Sequence, residues 1–338
     1  MLRSVDVTRL PFVVLAHVED VDAGALRAGV LGRHGTILPR RRTMALIEPP
    51  YPVDLVPLIP DFLARRRMKF TYPLRVMEEL GIDRPAFAFV IGGVTLQPEE
   101  GARFVDIYNP YATVFEQWHA SAAAARGAGL VDEVGGKWRA TPKGRDLAKR
   151  VRKEADAYLA TLEPVPAKEV AKLASLLGRA LAAVEASDVP KDHIPRSARF
   201  KGDGTIAMVA LENAVYGLWQ ARDDCHMSSW RAAGFDGPTF DVLTRVWRRE
   251  ATTEADLPKR LTQQRPEDVK RALNKLRRDG LVAPDALAAS DRGAKMRQEV
   301  EDETDRKFFA PWPEDVGAQA AWMRGRLAAI NDFLQPPA

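Results

Sequence analysis

The sequence predicts a mainly α protein with small β-hairpins, in which one supersecondary unit is used twice and is joined and flanked by long helices. Three observations predict it. Residues 81–93 open Gly-Ile-Asp-Arg-Pro-Ala-Phe, and residues 234–246 open Gly-Phe-Asp-Gly-Pro-Thr-Phe. Each opening leads to a helical stretch that ends in Gly-Leu-Val, at Gly129, Leu130, Val131 and again at Gly280, Leu281, Val282. Each then meets a hydroxyl residue and a basic-Gly step, Thr141-Pro142-Lys143-Gly144 and Ser290-Asp291-Arg292-Gly293. The offset between the copies drifts only from 153 to 151 to 149 residues. A repeat of that regularity takes precedence over local propensity in reading the fold.

The first 80 residues lie outside the repeat. They are proline-rich, as in Glu48-Pro49-Pro50-Tyr51-Pro52, and carry arginine triplets at 40–42 and 65–67. A strand near Pro11 to Val18 and a short helix near Pro60 to Met68 do not close into a domain. Residues 1–80 therefore read as a partly flexible extension, with residues 1–60 contributing little to the core.

The first unit spans 81–152. Asp83 can cap a helix whose Pro85 sits in the first turn, where a missing N–H does no harm. Phe87, Val90 and Ile91 give it a buried stripe. Residues 95–105 suggest a second helix and 110–127 a third, stopped by Gly129 in the left-handed region. Gly135-Gly136 between two strand-like runs favours a tight primed turn and a hairpin. Thr141-Pro142 then caps a long helix.

Residues 153–233 connect the units through helices near 167–186 and 205–232 and a polar linker at 187–204. The second unit spans 234–305, with helices near 238–250, 253–261 and 266–279. A shortened turn through Pro284 follows, then a helix from about Ser290. Residues 306–338 hold a C-terminal helix.

Composition sets wide bounds. A chain of 338 residues suggests two or three domains. Its 46% hydrophobic and 28% charged residues are ordinary for a globular protein. A net charge of +4 permits phosphate contact without demanding it. Cys225 is the single cysteine, which excludes an intramolecular disulfide and favours a reducing, cytoplasmic setting. The apolar run from Leu10 to Val18 is too short and too interrupted to span a membrane. Walker, dinucleotide-fingerprint, Gly-x-Ser-x-Gly and paired-cysteine motifs are all missing, so no enzyme activity and no cofactor is expected.

Three helices followed by a two-stranded hairpin is the order of a winged helix-turn-helix, whose third helix enters the major groove while the hairpin touches the backbone. Gly129-Leu130-Val131, the hairpin, Thr141-Pro142-Lys143-Gly144-Arg145 and the helix behind them resemble the MarR-like winged-helix regulators. So does the Leu-rich stretch from Glu169 to Leu177. The resemblance covers about 81–186, and 234–310 in weaker form. It implies a DNA-binding transcriptional regulator tuned by a small-molecule effector. Such regulators usually carry one winged helix per chain. Two copies here suggest either a monomeric pseudo-dimer or a homodimer.

The candidate sites follow. On the third helix of the second unit, Val269, Leu273 and Leu276 mark the buried stripe. That leaves Lys270, Arg271, Asn274, Lys275 and Arg278 to face double-stranded DNA, with Arg277 beside them. The matching helix of the first unit offers His119, Ala120, Ala123, Ala124, Arg126 and Gly127, and reads as packed rather than DNA-facing. Its wing supplies Lys137 and Arg139, followed by Lys143 and Arg145. The second wing, 283–289, has no basic residue. Tyr216, Trp219, Asp223, His226 and Trp230 form a weaker candidate ligand set. Asp223 and His226 share a helical face but lack a further metal ligand, so no metal is expected. The alternative function is a winged-helix scaffold for protein assembly or ligand binding without DNA.

Overall fold

The computed structural model describes residues 46–107, 110–114 and 116–335. The strand expected near Pro11 to Val18 lies outside them. In chain order the helices are α1 Leu58–Arg65, α2 Tyr72–Leu80, α3 Arg84–Ala88, α4 Phe104–Ile107 and α5 Glu116–Gly127. The hairpin β1 Val131–Val134 and β2 Lys137–Ala140 comes next. Then follow α6 Pro142–Ala160, α7 Ala167–Ala186, α8 Ile194–Phe200, α9 Ala207–Ala232, α10 Gly237–Trp247, α11 Leu257–Arg260 and α12 Pro266–Arg278. The chain closes with α13 Asp291–Phe309, α14 Glu314–Gly317 and α15 Ala320–Phe333. This is the mainly α class with a small β-hairpin.

Three apolar cores organise these elements. One is built on α2, α3, α5, the hairpin and α6, with Phe87, Val90, Ala122, Leu130 and Leu147 buried. A second is built on α10, α11, α12 and the start of α13, with Phe240, Leu243, Leu257, Leu273 and Val300. The third joins α1, α7, α9, the end of α13 and α15. The long helix α9 belongs to two of these cores, through Val215 and Leu218 in one and Trp230 in another.

The caps and turns expected at the corresponding positions are visible atom by atom. Asp83 accepts from the Ala86 N–H, and Asp236 from the Thr239 N–H, each at 2.8 Å. Gly129 and Gly280 take φ of 73° and 69° and end α5 and α12, a conformation that penalises any side chain. The Thr141 hydroxyl caps α6 by accepting from Gly144 and donates to the Gly129 carbonyl. Ser290 does the same with Gly293 and Gly280. Gly144 and Gly293 each press against a backbone carbonyl, of Leu130 and Leu281, with no room for a Cβ.

Four expectations need correction. Residues 46–80 are not a peripheral extension. Leu55, Val56, Ile59, Phe62 and Leu63 are buried in the third core, because α1 is amphipathic and packs on α9 and α15. The second helix of the first unit is not 95–105. Backbone of 3-10 type covers Val94–Leu96, and the α-helix is Phe104–Ile107. The linker 187–204 contains α8, which Pro195 starts. The unit boundaries at 152 and 305 fall inside α6 and α13, since each long helix continues past its unit to reach α9.

Where the cores meet, polar groups are buried and paired. Glu212 on α9 is fully buried and bonds Arg66 at 2.5 Å, Arg67 at 2.7 Å and Arg152 at 2.6 Å. Burial pushes its carboxyl up, but the three guanidinium groups outweigh that and hold it well below the usual carboxylate range. Burial pulls the Arg66 guanidinium down to about 10, so it is charged at neutral pH.

Candidate nucleic-acid interface

The helix α12 is held at both ends. Ahead of it, Gln263 and Gln264 are pinned by Asp241 of α10, which is buried. Asp241 accepts from Gln263 Nε2 at 3.1 Å, Gln264 Nε2 at 3.2 Å and Arg245 Nε at 3.2 Å. Behind it, the Leu281 N–H reaches back to the Leu276 carbonyl at 2.8 Å, and the Ser290 N–H bonds the Leu281 carbonyl at 3.0 Å. Arg292 donates to the Asp279 carbonyl at 2.9 Å. Val269, Ala272, Leu273 and Leu276 fill the core beneath. The i, i+3, i+4 spacing of that stripe is what turns the other residues outward.

Outward they carry charge. Lys270, Arg271, Asn274 and Arg278 are exposed, and Lys275 is half-exposed. Arg271 pairs with Asp268, and Lys275 with Asp279 at 2.9 Å. Exposed pairs of this kind contribute at most about 1 kcal/mol, so a phosphate or a base edge can displace them at little cost. Arg277 is different. It donates to the Ala283 carbonyl at 3.2 Å and pairs with Glu254 at 2.7 Å, so it braces the helix end.

The hairpin expected to serve as the first wing is a four-residue ladder pairing Val131 with Ala140 and Val134 with Lys137. The period of two buries Trp138 and Ala140 and turns Lys137 and Arg139 out. Arg139 stands opposite Asp132, with exposed Glu133 adjacent, so the wing carries mixed charge. Ala102 adds a bridge to Trp138. Lys143 and Arg145 are spent largely on the backbone: Lys143 donates to the Ala128 carbonyl at 2.7 Å and Arg145 to the Ala140 carbonyl at 2.6 Å. Lys143 thus caps α5 as Arg292 caps α12. At 283–289, where a second wing is expected, there is a Val282–Ala289 bridge and the bond from Ala283 to Ala288.

The helix α5 faces the other way from its expected register. Ser121, Ala122 and Ala125 are buried, whereas His119, Ala120, Ala123 and Ala124 are exposed. Alanine gives little hydrophobic contrast, so the run from Ala122 to Ala125 does not declare its inner face. Ala120, Ala123 and Ala124 make the middle of the exposed side small, with Glu116, His119 and Arg126 around it. Ala123→Arg is therefore expected to change stability by less than about 0.5 kcal/mol. Chemical denaturation checks this; a loss of several kcal/mol would mean Ala123 packs in solution.

The candidate ligand set is not brought together. Tyr216 and Trp219 lie in the third core, Trp230 in the second. Trp230 donates to the Tyr111 hydroxyl at 2.8 Å. Burial pushes the Tyr216 hydroxyl up to about 12, so it stays neutral. His226 sits 3.3 Å from Thr304 and 3.7 Å from Glu301, in a network that ties α9 to α13 through Arg222 and Arg297. Burial alone would raise Glu301, but Arg297, His226 and Arg222 hold it at about 2. These contacts brace helices. Among the described residues no group of His, Cys, Asp and Glu could hold a metal, and no helix is long and apolar enough to cross a membrane.

Residues 207–334 match the model of a helix-turn-helix family. The match begins at the first residue of α9 and covers α10 to α15, so it contains α12, its anchors and every exposed cation on it. It supports a helix-turn-helix domain in this segment and, at a coarse level, a DNA-binding regulator. Comparison with curated proteins and with solved structures gives no match. Sequence reasoning missed Asp241, Gln263 and Gln264 within the helix-turn-helix segment. The signal available was a lone acid inside the apolar run Phe240-Asp241-Val242-Leu243.

Proposed function

We propose that this chain is a MarR-like transcriptional regulator with two winged-helix units, in which α12 of the second unit reads base edges in the major groove. Lys137 and Arg139 of the first wing serve as phosphate contacts, while Lys143 and Arg145 act mainly as braces. The observation that carries the reading is the exposed set Lys270, Arg271, Asn274 and Arg278, on a helix tied at both ends inside the matched segment. Arginine and asparagine are the residue types that pair bidentately with guanine and adenine, and lysine neutralises phosphate. The chain acts by binding and not by catalysis. Response to a small ligand rests on the resemblance alone, because Tyr216, Trp230 and His226 are engaged in protein contacts. A second reading, a scaffold without DNA, is favoured by the alanine-rich exposed face of α5 and the mixed charge of the first hairpin.

Fluorescence anisotropy against a selected duplex and a random one, at two salt concentrations, separates these. Arg271→Ala or Asn274→Ala should weaken specific binding by about 1–3 kcal/mol and relax sequence preference. Lys137→Ala should weaken all duplexes alike and lower the salt slope by roughly one. Wild-type protein that binds no duplex at low salt removes the regulator reading and leaves the scaffold.

A further inference from the structure

The two third helices start side by side, and this limits what one chain can read. The segment before α5 bonds the segment before α12. Thr113 and Val114 donate to the Gln263 carbonyl at 2.9 and 3.1 Å, and the Arg265 N–H donates to the Thr113 hydroxyl at 2.9 Å. Arg265, which precedes α12, also pairs at 2.7 Å with Glu116, the first residue of α5. Thr113 is three residues from Glu116, a reach of at most ~11 Å of chain. The first turns of α5 and α12 therefore lie within about 15 Å of one another. Helix-turn-helix pairs that read two half-sites place their recognition helices about 34 Å apart, one turn of the duplex, with the N-terminal residues on the bases. The pairing of α5 with α12 falls far short of that span.

The chemistry of α5 agrees with the geometry. Where α12 presents Lys270, Arg271 and Asn274, α5 presents His119, Ala120, Ala123 and Ala124, with the Glu116 carboxylate at its start. The His119 ring packs at a tilt against Phe104, with ring centroids 4.7 Å apart. Short alkyl side chains cannot reach a base edge.

Resting on the DNA-binding reading above, we infer that one chain reads one half-site, through α12 alone, and that an operator with two half-sites takes two copies of this chain. The first unit acts as a brace that fixes where α12 begins, not as a second reader.

Selection of duplexes from a random library by the full chain, followed by mass photometry of the complex, tests this. The expected outcome is one sequence block per bound chain, whether the selected site is a single block or a palindrome carrying two chains. One chain bound across two blocks a helical turn apart would overturn the inference while leaving DNA binding intact. Binding to no duplex would overturn the DNA reading, and the inference with it. Ala123→Arg gives an independent measure that does not depend on the site. If α5 lies away from DNA, the variant keeps the wild-type salt slope and the same selected block. A slope steeper by about one unit, as expected for one added phosphate contact, would show that α5 reaches the duplex and that the inference is wrong.

Discussion

Glu212→Ala is expected to remove about 3–5 kcal/mol of folding stability, because it leaves buried guanidinium groups without their shared carboxylate. Arg66 is wholly buried and loses its only carboxylate partner among the described residues, Arg67 loses its own, and Arg152 keeps Asp156 at 2.5 Å. The damage falls where α1, α6 and α9 meet, so it should loosen the first unit from the helix that carries the second. Urea denaturation of both proteins gives the difference, and a loss under 1 kcal/mol would show that the cluster relaxes to solvent. The pH dependence adds a second check. The carboxyl is held below its unfolded value, so its contribution is fully present at neutral pH and fades as pH falls below roughly 4.3, the ordinary glutamate value. The gap between wild type and variant should therefore be constant from pH 7 to 5 and shrink in acid. Replacing Glu212 with Leu and both Arg66 and Arg67 with Met should recover most of the loss, since a packed apolar cluster can match a buried ionic one.

How much of this molecule was legible in its sequence depends on how narrow each position's physical demand is. Gly129, Gly280, Thr141, Ser290, Gly144 and Gly293 each meet a demand that few residues satisfy: a left-handed φ, a hydroxyl cap, a carbonyl with no space for a Cβ. These are the positions at which the two stretches of sequence correspond. The inner face of α5 was not legible, because Ala122 and Ala125 differ in burial but not in chemistry from Ala123 and Ala124. The role of α1 was hidden by the prolines around it, although Phe62 and Leu63 are buried. Charged residues misled in a different way. Lys143, Arg145 and Arg277 look like DNA contacts in a list of cations, yet each bonds a backbone carbonyl. Pairing of that kind depends on where the chain returns, which composition does not encode. Two buried acids did leave a trace. Glu212 and Asp241 each interrupt an apolar helical run, and a lone acid on an inner stripe requires a buried partner.

Asp241→Ala should weaken both the fold and the reading of DNA, and the comparison with Glu250→Ala separates the two effects. Asp241 is the joint between α10 and the loop that starts α12, through Gln263 and Gln264. Removing it leaves the Gln264 amide buried without that acceptor and takes from Arg245 the Asp241 carboxylate at 3.2 Å, while Glu250 stays at 2.7 Å. The expected cost is about 3 kcal/mol, the upper range for a charged buried hydrogen bond and the lower range for a broken buried ion pair. Glu250→Ala strips a carboxylate from Arg245 and from Arg248 but leaves the loop contacts alone, and Glu250 is partly exposed, so its cost should be smaller. On the DNA-binding reading, the functional outcome differs in kind. At a temperature where both variants are fully folded, Glu250→Ala should keep wild-type sequence preference. Asp241→Ala should lose discrimination between the selected and random duplexes while keeping the salt slope, because the cations of α12 remain but their base partners fall out of register. Equal loss of preference in both variants would mean that Arg245, and not the Asp241–glutamine joint, sets the position of α12. Unchanged preference in Asp241→Ala would mean that the anchors at the far end, the Ser290 bond to Leu281 and the Arg292 bond to Asp279, are sufficient to hold the helix.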